Sequence, residues 1–501
     1  MLTFGSVTEL FANLKTVFST RLLKSIALVL VFSAAPFVSV RDGGADILDF
    51  DLWWHLKVGE WIRVHHAFPR VGLFSQFGSD KPWIAYSWGF ELLVSTAHSI
   101  GGLLGVFVIH VCAQAIITAA IFVMLYRASE RFWPSLVLTG LGIWAIYHNF
   151  SIRPVLASIF FWTIAFTLIL EAQKRQSSRP LYLLPPLFFI WANFHIQFVY
   201  GLFLVALFTA VELGKAMAMH LGWMERTDAP KLRVGPVVVI ALLCLVATVA
   251  GPYGIGPYKV VVGYLHSKSM YSQITELMAL SFRSSSHYVQ LVLTGAAFFA
   301  LGRKGRDPFR VLLLIAVTVV AYRTTRDSWF ACLPALAMIA AAFAPAESQE
   351  KPIKQVWVPA MGVAFGVALV VFALIRNEGI DNHKLQAVVT DFYPVRAAEF
   401  VKANQLPGPL YNNLNFGGYL IWSMPEYPVA IDGRGDLYGE QYFDRYYAVL
   451  TGEMNPMLDP DLNKANVVLL QRGYPLIDFL YQDPRFRPVF EDENAVVFAR
   501  R

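Results

Sequence analysis

LKSIALVLVFSAAPFVSV, residues 23–40, followed shortly by Asp49-Phe50-Asp51-Leu52-Trp53-Trp54-His55, is the stretch that decides the fold class. An apolar run of this length approaches the roughly 20 residues a helix needs to cross a bilayer. Two carboxylates, two indoles and an imidazole then stand at its mouth. Charge beside hydrocarbon is costly, so acids at the end of a span point to a functional site. Tryptophans in that position stack on a ligand or sit at headgroup level, and a solvated loop with an aromatic anchor is the plain alternative.

The pattern recurs along the chain. Its 501 residues are 56% hydrophobic and only 15% charged, against about 25% charged in soluble domains. Apolar segments centre on 23–40, 104–126, 134–150, 155–171, 181–194, 198–219, 234–250, 288–301, 309–322, 329–343 and 356–375. They predict an α-helical polytopic membrane protein of about eleven spans. Alternate loops collect the cations: Lys15, Arg21 and Lys24; Arg127 and Arg131; Lys174, Arg175 and Arg179; Lys215, Arg226, Lys231 and Arg233; Arg303, Lys304, Arg306 and Arg310; Lys351 and Lys354. Positive loops stay cytoplasmic, so the N-terminus is expected inside, with the first loop and the C-terminal tail outside. The net charge of +6 follows from this bias and gives no reason to expect nucleic acid as a partner. The mixed residues before the first span are not expected to be a cleavable signal. Cys112, Cys244 and Cys332 all fall in apolar segments and predict no disulfide framework.

The chain divides into a membrane domain, residues 1–376, and a more polar tail, 377–501. The first outer loop spans 41–102, with amphipathic helices expected at 53–66 and 86–99. A second outer loop covers 251–287. In the tail, strands are expected at 409–411, 429–431 and 467–470, helices at 395–404, 441–450 and 476–481, and a terminal hairpin at 487–490 and 495–499. This alternation predicts a small α/β domain.

Four outer segments carry chemistry: Asp49, Asp51 and His55; Arg153; Asn193, His195 and Gln197; Arg323 and Arg326. Acids and arginines on one face suit a phosphate-bearing substrate, because the guanidinium fork matches phosphate oxygens and stays charged. Taken singly, each arginine also reads as an interfacial cation, and His195 as a hydrogen-bonded core imidazole. Asp49-x-Asp51 lacks a third metal ligand nearby, though Glu60 or Glu276 could fold in. A metal-free base, one carboxylate taking a proton from an attacking hydroxyl, is the simpler expectation; a divalent cation stays open. In the tail, Asn415-Phe416-Gly417-Gly418-Tyr419-Leu420 and Ile431-Asp432-Gly433-Arg434-Gly435-Asp436 suit tight turns with close backbone approach; the alternatives are an acceptor or carrier surface above the membrane site, and a simple pairing of Asp432 with Arg434.

The run 51–62, Asp-Leu-Trp-Trp-His-Leu-x-x-Gly-x-x-Ile, resembles bacterial polytopic proteins related to the GT-C superfamily of glycosyltransferases. So do Pro82-Trp83 with Ser87-Trp88-Gly89-Phe90-Glu91, Arg153-Pro154, Trp191-Ala192-Asn193-Phe194-His195, Pro252-Tyr253-Gly254 with Ile274-Thr275-Glu276, and the tail's Gly417-Gly418-Tyr419-Leu420-Ile421-Trp422 and Ile431-Asp432-Gly433-Arg434. The resemblance covers most of the chain. It implies a multispan bundle in the bacterial inner membrane, an acidic catalytic residue in the first outer loop and a polyprenyl-phosphate-linked sugar donor. By position Asp51 matches that acid best and Asp49 second. The Trp-Trp-Asp-Tyr-Gly signature of oligosaccharyltransferase catalytic subunits is absent.

The expectation is then a glycosyltransferase working on the periplasmic face on an acceptor the sequence does not name. Asp51 serves as base or positions the acceptor, Arg323, Arg326 and Arg153 bind the donor phosphate, His55, Asn193 and His195 orient the pyrophosphate, phosphate or sugar, and Trp53 or Trp54 packs on lipid or sugar. The alternatives are a flippase for a lipid-linked glycan, for which few mid-span charges are found, and a non-catalytic envelope assembly protein. The loop charges make one outcome checkable. Alkaline phosphatase fused after Arg376 should be active and a fluorescent protein fused there dark; the reverse pattern would overturn the orientation.

Overall fold

The computed structural model describes residues 22–45, 48–223, 232–266, 274–304, 307–345 and 354–501. Lys15, Arg21, Arg226, Lys231, Lys268, Arg306 and Lys351 lie outside the described residues. A helix stands at each of the eleven apolar segments. Three are long and apolar enough to cross a membrane: Trp88–Ser129, Val155–Arg175 and Phe198–His220. Two bent pairs, Leu22–Phe32 with Ala34–Arg41 and Gly362–Asn377 with Asn382–Phe392, bring the number among the described residues to as many as five if each pair is one span. Others are short: Leu184–Phe194 has 11 residues, Val234–Thr248 15, Pro308–Arg323 16 and Trp329–Ala342 14. At about 1.5 Å per residue none of these reaches the roughly 30 Å of a hydrocarbon core. The backbone leaves the helix at His195 (φ −161°) and Thr324 (φ −140°). Such breaks are tolerated at membrane depth where they are buried in protein or line a cavity.

The expected amphipathic helix at 86–99 is the first limb of Trp88–Ser129. The two limbs meet at Gly102, whose φ of 63° and ψ of −149° suit glycine alone. Asn382 fills the break, accepting from the Leu104 amide at 2.8 Å and donating to the Gly101 carbonyl at 3.0 Å. The other amphipathic helix, Leu52–His65, packs on this first limb, and Gly59 lets it press against the Glu91 backbone. At the far end of the bundle, Arg127 donates to both Glu171 oxygens at 2.6–3.0 Å. Lys215 there meets Glu212 and Asp307 at 2.8 and 3.2 Å.

The tail forms a four-stranded sheet in the order β1 (Leu410–Asn412), β2 (Val467–Gln471), β4 (Ala495–Arg500), β3 (Phe486–Glu491). β1 and β2 are parallel; the other pairs are antiparallel. Val395–Ala403, Glu440–Leu450 and Pro475–Gln482 are helical. The segment 429–431 does not join this sheet. Val429 instead pairs with the first outer loop, through the Gln76 amide to the Val429 carbonyl and the Val429 amide to the Phe74 carbonyl, both 2.9 Å. Its buried backbone groups therefore find partners in a segment far away in sequence.

The tail thus docks firmly on the first outer loop. Trp53 turns its ring into Tyr419 and Tyr393, with centroids 5.1 and 5.4 Å away. Gly418 lies against the Phe50 carbonyl, and Gly433 lies against the Asp51 carboxylate. Asp432 and Arg434 do pair, at 2.7 and 2.8 Å, fully buried, with the guanidinium over Trp83 at 4.9 Å and the Tyr438 hydroxyl donating to Asp432 at 2.6 Å. A side chain at residue 433 would collide with Asp51. Gly433→Val is therefore expected to lower stability by about 1–3 kcal/mol, the usual cost of overpacking, whereas Gly214→Ala, which points into open space, should not. Thermal unfolding of the two variants in detergent checks this.

Candidate active site

Asp51 occupies the N-cap position of the helix Leu52–His65. Its amide donates to Asp49 Oδ1 at 3.0 Å, a local turn typical of aspartate. One helical turn on, Trp54 Nε1 donates to Asp51 Oδ1 at 3.1 Å. The Trp54 ring covers His55, with centroids 3.6 Å apart, and His55 Nδ1 meets the buried Glu91 at 3.3 Å. The local sequence therefore fixes the orientation of Asp51 before any distant element arrives.

Arg153, just ahead of the helix Val155–Arg175, reaches across to this turn. Its Nε donates to Asp49 Oδ2 at 2.5 Å, Nη2 lies 3.5 Å from Asp51 Oδ2, and Nη1 pairs with Glu276. Arg326 Nη1 lies 3.6 Å from the other Glu276 oxygen. The Arg326 turn is itself held from several sides. Asn149 Nδ2 donates to the Arg326 carbonyl at 3.0 Å, and Gln197 Nε2 donates to Asp327 Oδ1 at 2.8 Å. The Thr325 amide donates to the Met278 carbonyl at 2.8 Å. Hydrogen bonds thus knit together outer segments far apart in sequence.

These segments enclose a cavity of about 520 Å³. Asp51, Trp54, His55, Arg153, His195 and Arg326, six of the nine candidate residues of the sequence, line it. Glu276, noted only as a residue that could fold in, is on the wall too. Asp49 sits behind Arg153 and is buried. Asn193 is placed elsewhere, accepting from Trp88 Nε1 at 2.8 Å and donating to the Phe189 carbonyl. Arg323 ends the helix Pro308–Arg323 on its exposed side and does not line the cavity. Trp53 faces the tail domain. The cavity is also lined by His148, Tyr86 and Tyr264 and by Tyr447 and Tyr474 of the tail, which the sequence does not single out, and by Asn415, which opens the tail's glycine motif. His148 directly precedes the polar turn 149–154, a signal that was legible; the aromatics of the tail gave none.

Burial pushes the Asp51 carboxyl up to about 6; Arg153 pulls it back down, and Asp49 and Glu276 push it up again. Glu276 is also raised by burial, yet Arg153 and Arg326 together hold it below its ordinary value. Burial, then the nearby arginines, keep His55 and His195 well below their ordinary range, so both imidazoles are neutral at pH 7. His195 Nδ1 shares a 2.8 Å hydrogen bond with Ser158. The site thus offers a carboxyl poised to exchange a proton, two guanidinium groups and neutral hydrogen-bonding rings. Among the described residues no three His, Cys, Asp or Glu side chains gather as a metal site; Arg153 fills the space between the three carboxylates.

Comparison with protein-family models finds no match, nor does comparison with curated proteins. Solved structures do match. The chain is similar to the Archaeoglobus fulgidus oligosaccharyltransferase in the apo form, at 10% identity and TM-score 0.48, over 90% of this chain and 69% of that one. It is similar to ArnT from Cupriavidus metallidurans bound to undecaprenyl phosphate, at 14% identity and TM-score 0.46, over 95% and 97%. It is similar to the arabinofuranosyltransferase AftD from Mycobacteria, at 15% identity and TM-score 0.43, over 94% and 40%.

The environment of Asp51 sets a measurable titration. Its folded-state value lies above the unfolded 3.8. Its protonation therefore favours the folded state fully below 3.8, and that contribution is lost as pH rises through about 6. Infrared difference spectra should show a carboxyl band titrating near pH 6 that is missing from Asp51→Asn. Trp54→Phe, which removes a donor to the charged form, should move that titration upward.

Proposed function

We propose that this chain is a membrane glycosyltransferase that moves a sugar from a polyprenyl-phosphate-linked donor to an acceptor on the outer face of a bacterial inner membrane, with the N-terminus cytoplasmic and the tail domain periplasmic. The supporting observation is the meeting, in one cavity, of a carboxyl poised near pH 6 with two guanidinium groups from other loops. Phosphate recognition calls for the arginines, and deprotonation of a hydroxyl calls for the carboxylate.

In this reading the donor phosphate lies against Arg153 and Arg326. The acceptor hydroxyl lies against Asp51. Its oxygen forms the new bond to the anomeric carbon while the bond from that carbon to the phosphate oxygen breaks. The electron pair leaves with the polyprenyl phosphate, whose added charge the guanidinium groups stabilise. The hydroxyl proton passes to Asp51. Tyr447, Tyr474 and Asn415 of the tail domain form the wall beside the acceptor. His55 and His195, neutral, orient oxygens without adding charge.

Asp51→Asn keeps the size and the Trp54 contact but removes the base. It should slow consumption of undecaprenyl-phosphate-linked sugar in membranes by about 10²–10⁴-fold, with normal expression and insertion. Asp49→Asn should do less. In the wild type, kcat/KM should fall as pH drops below about 6, where Asp51 takes up its proton. Arg326→Ala should weaken donor binding and Arg326→Lys restore it only in part. Full turnover by Asp51→Asn would remove the catalytic assignment of Asp51; no sugar transfer by the wild type would favour the assembly role.

A further inference from the structure

The two arginines that face the cavity share a single carboxylate. Glu276 pairs with Arg153 Nη1 through one oxygen and approaches Arg326 Nη1 at 3.6 Å through the other. It spans them as a bidentate oxyanion would. The charges make this arrangement awkward for any anionic ligand. Arg153 and Arg326 face Asp49, Asp51 and Glu276, two cations against three carboxylates. A phosphate group would add another negative charge to a half-buried site already short of cations, unless one carboxylate withdraws.

The three carboxylates are not equally able to withdraw. Asp49 is buried and accepts from the Asp51 amide as well as from Arg153. Asp51 is held by the Trp54 indole. Glu276 has a side chain 34% exposed and the longest stem of the three. The backbone beside it stays anchored, because the Met278 carbonyl accepts from the Thr325 amide at 2.8 Å and from the Thr325 hydroxyl at 3.2 Å. The side chain can therefore swing out by rotamer change alone.

We propose that Glu276 is a placeholder in an anion seat between Arg153 and Arg326, which a phosphate oxyanion takes by displacing it. The identity of that oxyanion as a lipid-linked phosphate rests on the function proposed above; the seat itself rests on the pairing geometry. Ligand-free, Glu276 keeps the two guanidinium groups compensated and correctly spaced. It also sets a threshold on binding, since a ligand must outcompete it. A neutral sugar or alcohol does not, so the seat selects for the phosphate-bearing form.

The test uses the full chain in lipid nanodiscs and two probes, inorganic phosphate and undecaprenyl phosphate. Glu276→Gln keeps the shape and removes the competing charge. It should bind both probes more tightly than the wild type, on the order of tenfold, the scale of a single coupling between sites. Glu276→Asp, still charged but too short to span both arginines, should gain less. Adding Arg326→Ala to Glu276→Gln should cancel the gain. Unchanged or weaker binding of inorganic phosphate by Glu276→Gln would overturn the placeholder, as would a gain that persists without Arg326. If inorganic phosphate follows the expected pattern while undecaprenyl phosphate binds no form, the anion seat stands and the lipid-donor reading falls.

Discussion

The guanidinium of Arg153 is the interaction on which the cavity end of the molecule depends. It gathers Asp49 and Asp51 from the first outer loop and Glu276 from the second, and it stands at the start of the long helix Val155–Arg175. Without it, three carboxylates would face one another in a half-buried place. Removing one partner of a buried ion pair typically costs about 3–5 kcal/mol, because the remaining charge is left uncompensated. The same contact that locks the loops also tunes Asp51, whose carboxyl balances between burial pushing it up and Arg153 pulling it down. Fold and candidate chemistry are therefore not separable at this point of the molecule.

The tail domain is part of the site as well as a neighbour to it. Its Gly433 touches the Asp51 carboxylate, its Gly418 touches the Phe50 carbonyl, and its Val429 completes a short pairing with the first outer loop. Trp53, one residue away from the indole that serves Asp51, is committed to that domain interface. Adjacent tryptophans on a helix point in different directions, about 100° apart at 3.6 residues per turn. One therefore holds the domain while the other holds the carboxylate. The buried Asp432–Arg434 pair under Tyr438 and Trp83 stiffens the turn that presents Gly433.

The membrane body treats its two ends differently. At one end, chain breaks at His195 and Thr324 open the helices toward the cavity, and side chains such as Asn149 and Gln197 satisfy the freed backbone and carboxylate groups. At the other, charges cancel in close pairs, Arg127 with Glu171 and Lys215 with Glu212 and Asp307. These paired charges line a second cavity, of about 550 Å³, whereas at the first end two cations are bridged by one carboxylate.

Much was legible in the sequence. Apolar runs placed the eleven helices, alternation placed the four strands of the tail's sheet and three of its helices, and acids beside tryptophans marked the Asp51 turn, because each of these signals is local. Helix length against membrane thickness was not legible, since breaks at His195 and Thr324 answer to distant hydrogen-bond partners. The segment 429–431 has the apolar character of a strand, but its pairing partner lies in another domain. The sequence reading treated Arg323 and Arg326 alike, yet the turn at Thr324 sends only Arg326 into the cavity; the same limit hid the placement of Asn193. Composition determined that acids and arginines would crowd one face. Which acid each arginine meets, and that Glu276 stands between two of them, was decided only by tertiary structure, because charge pairing depends on distances of a few ångströms between loops that sequence order does not relate.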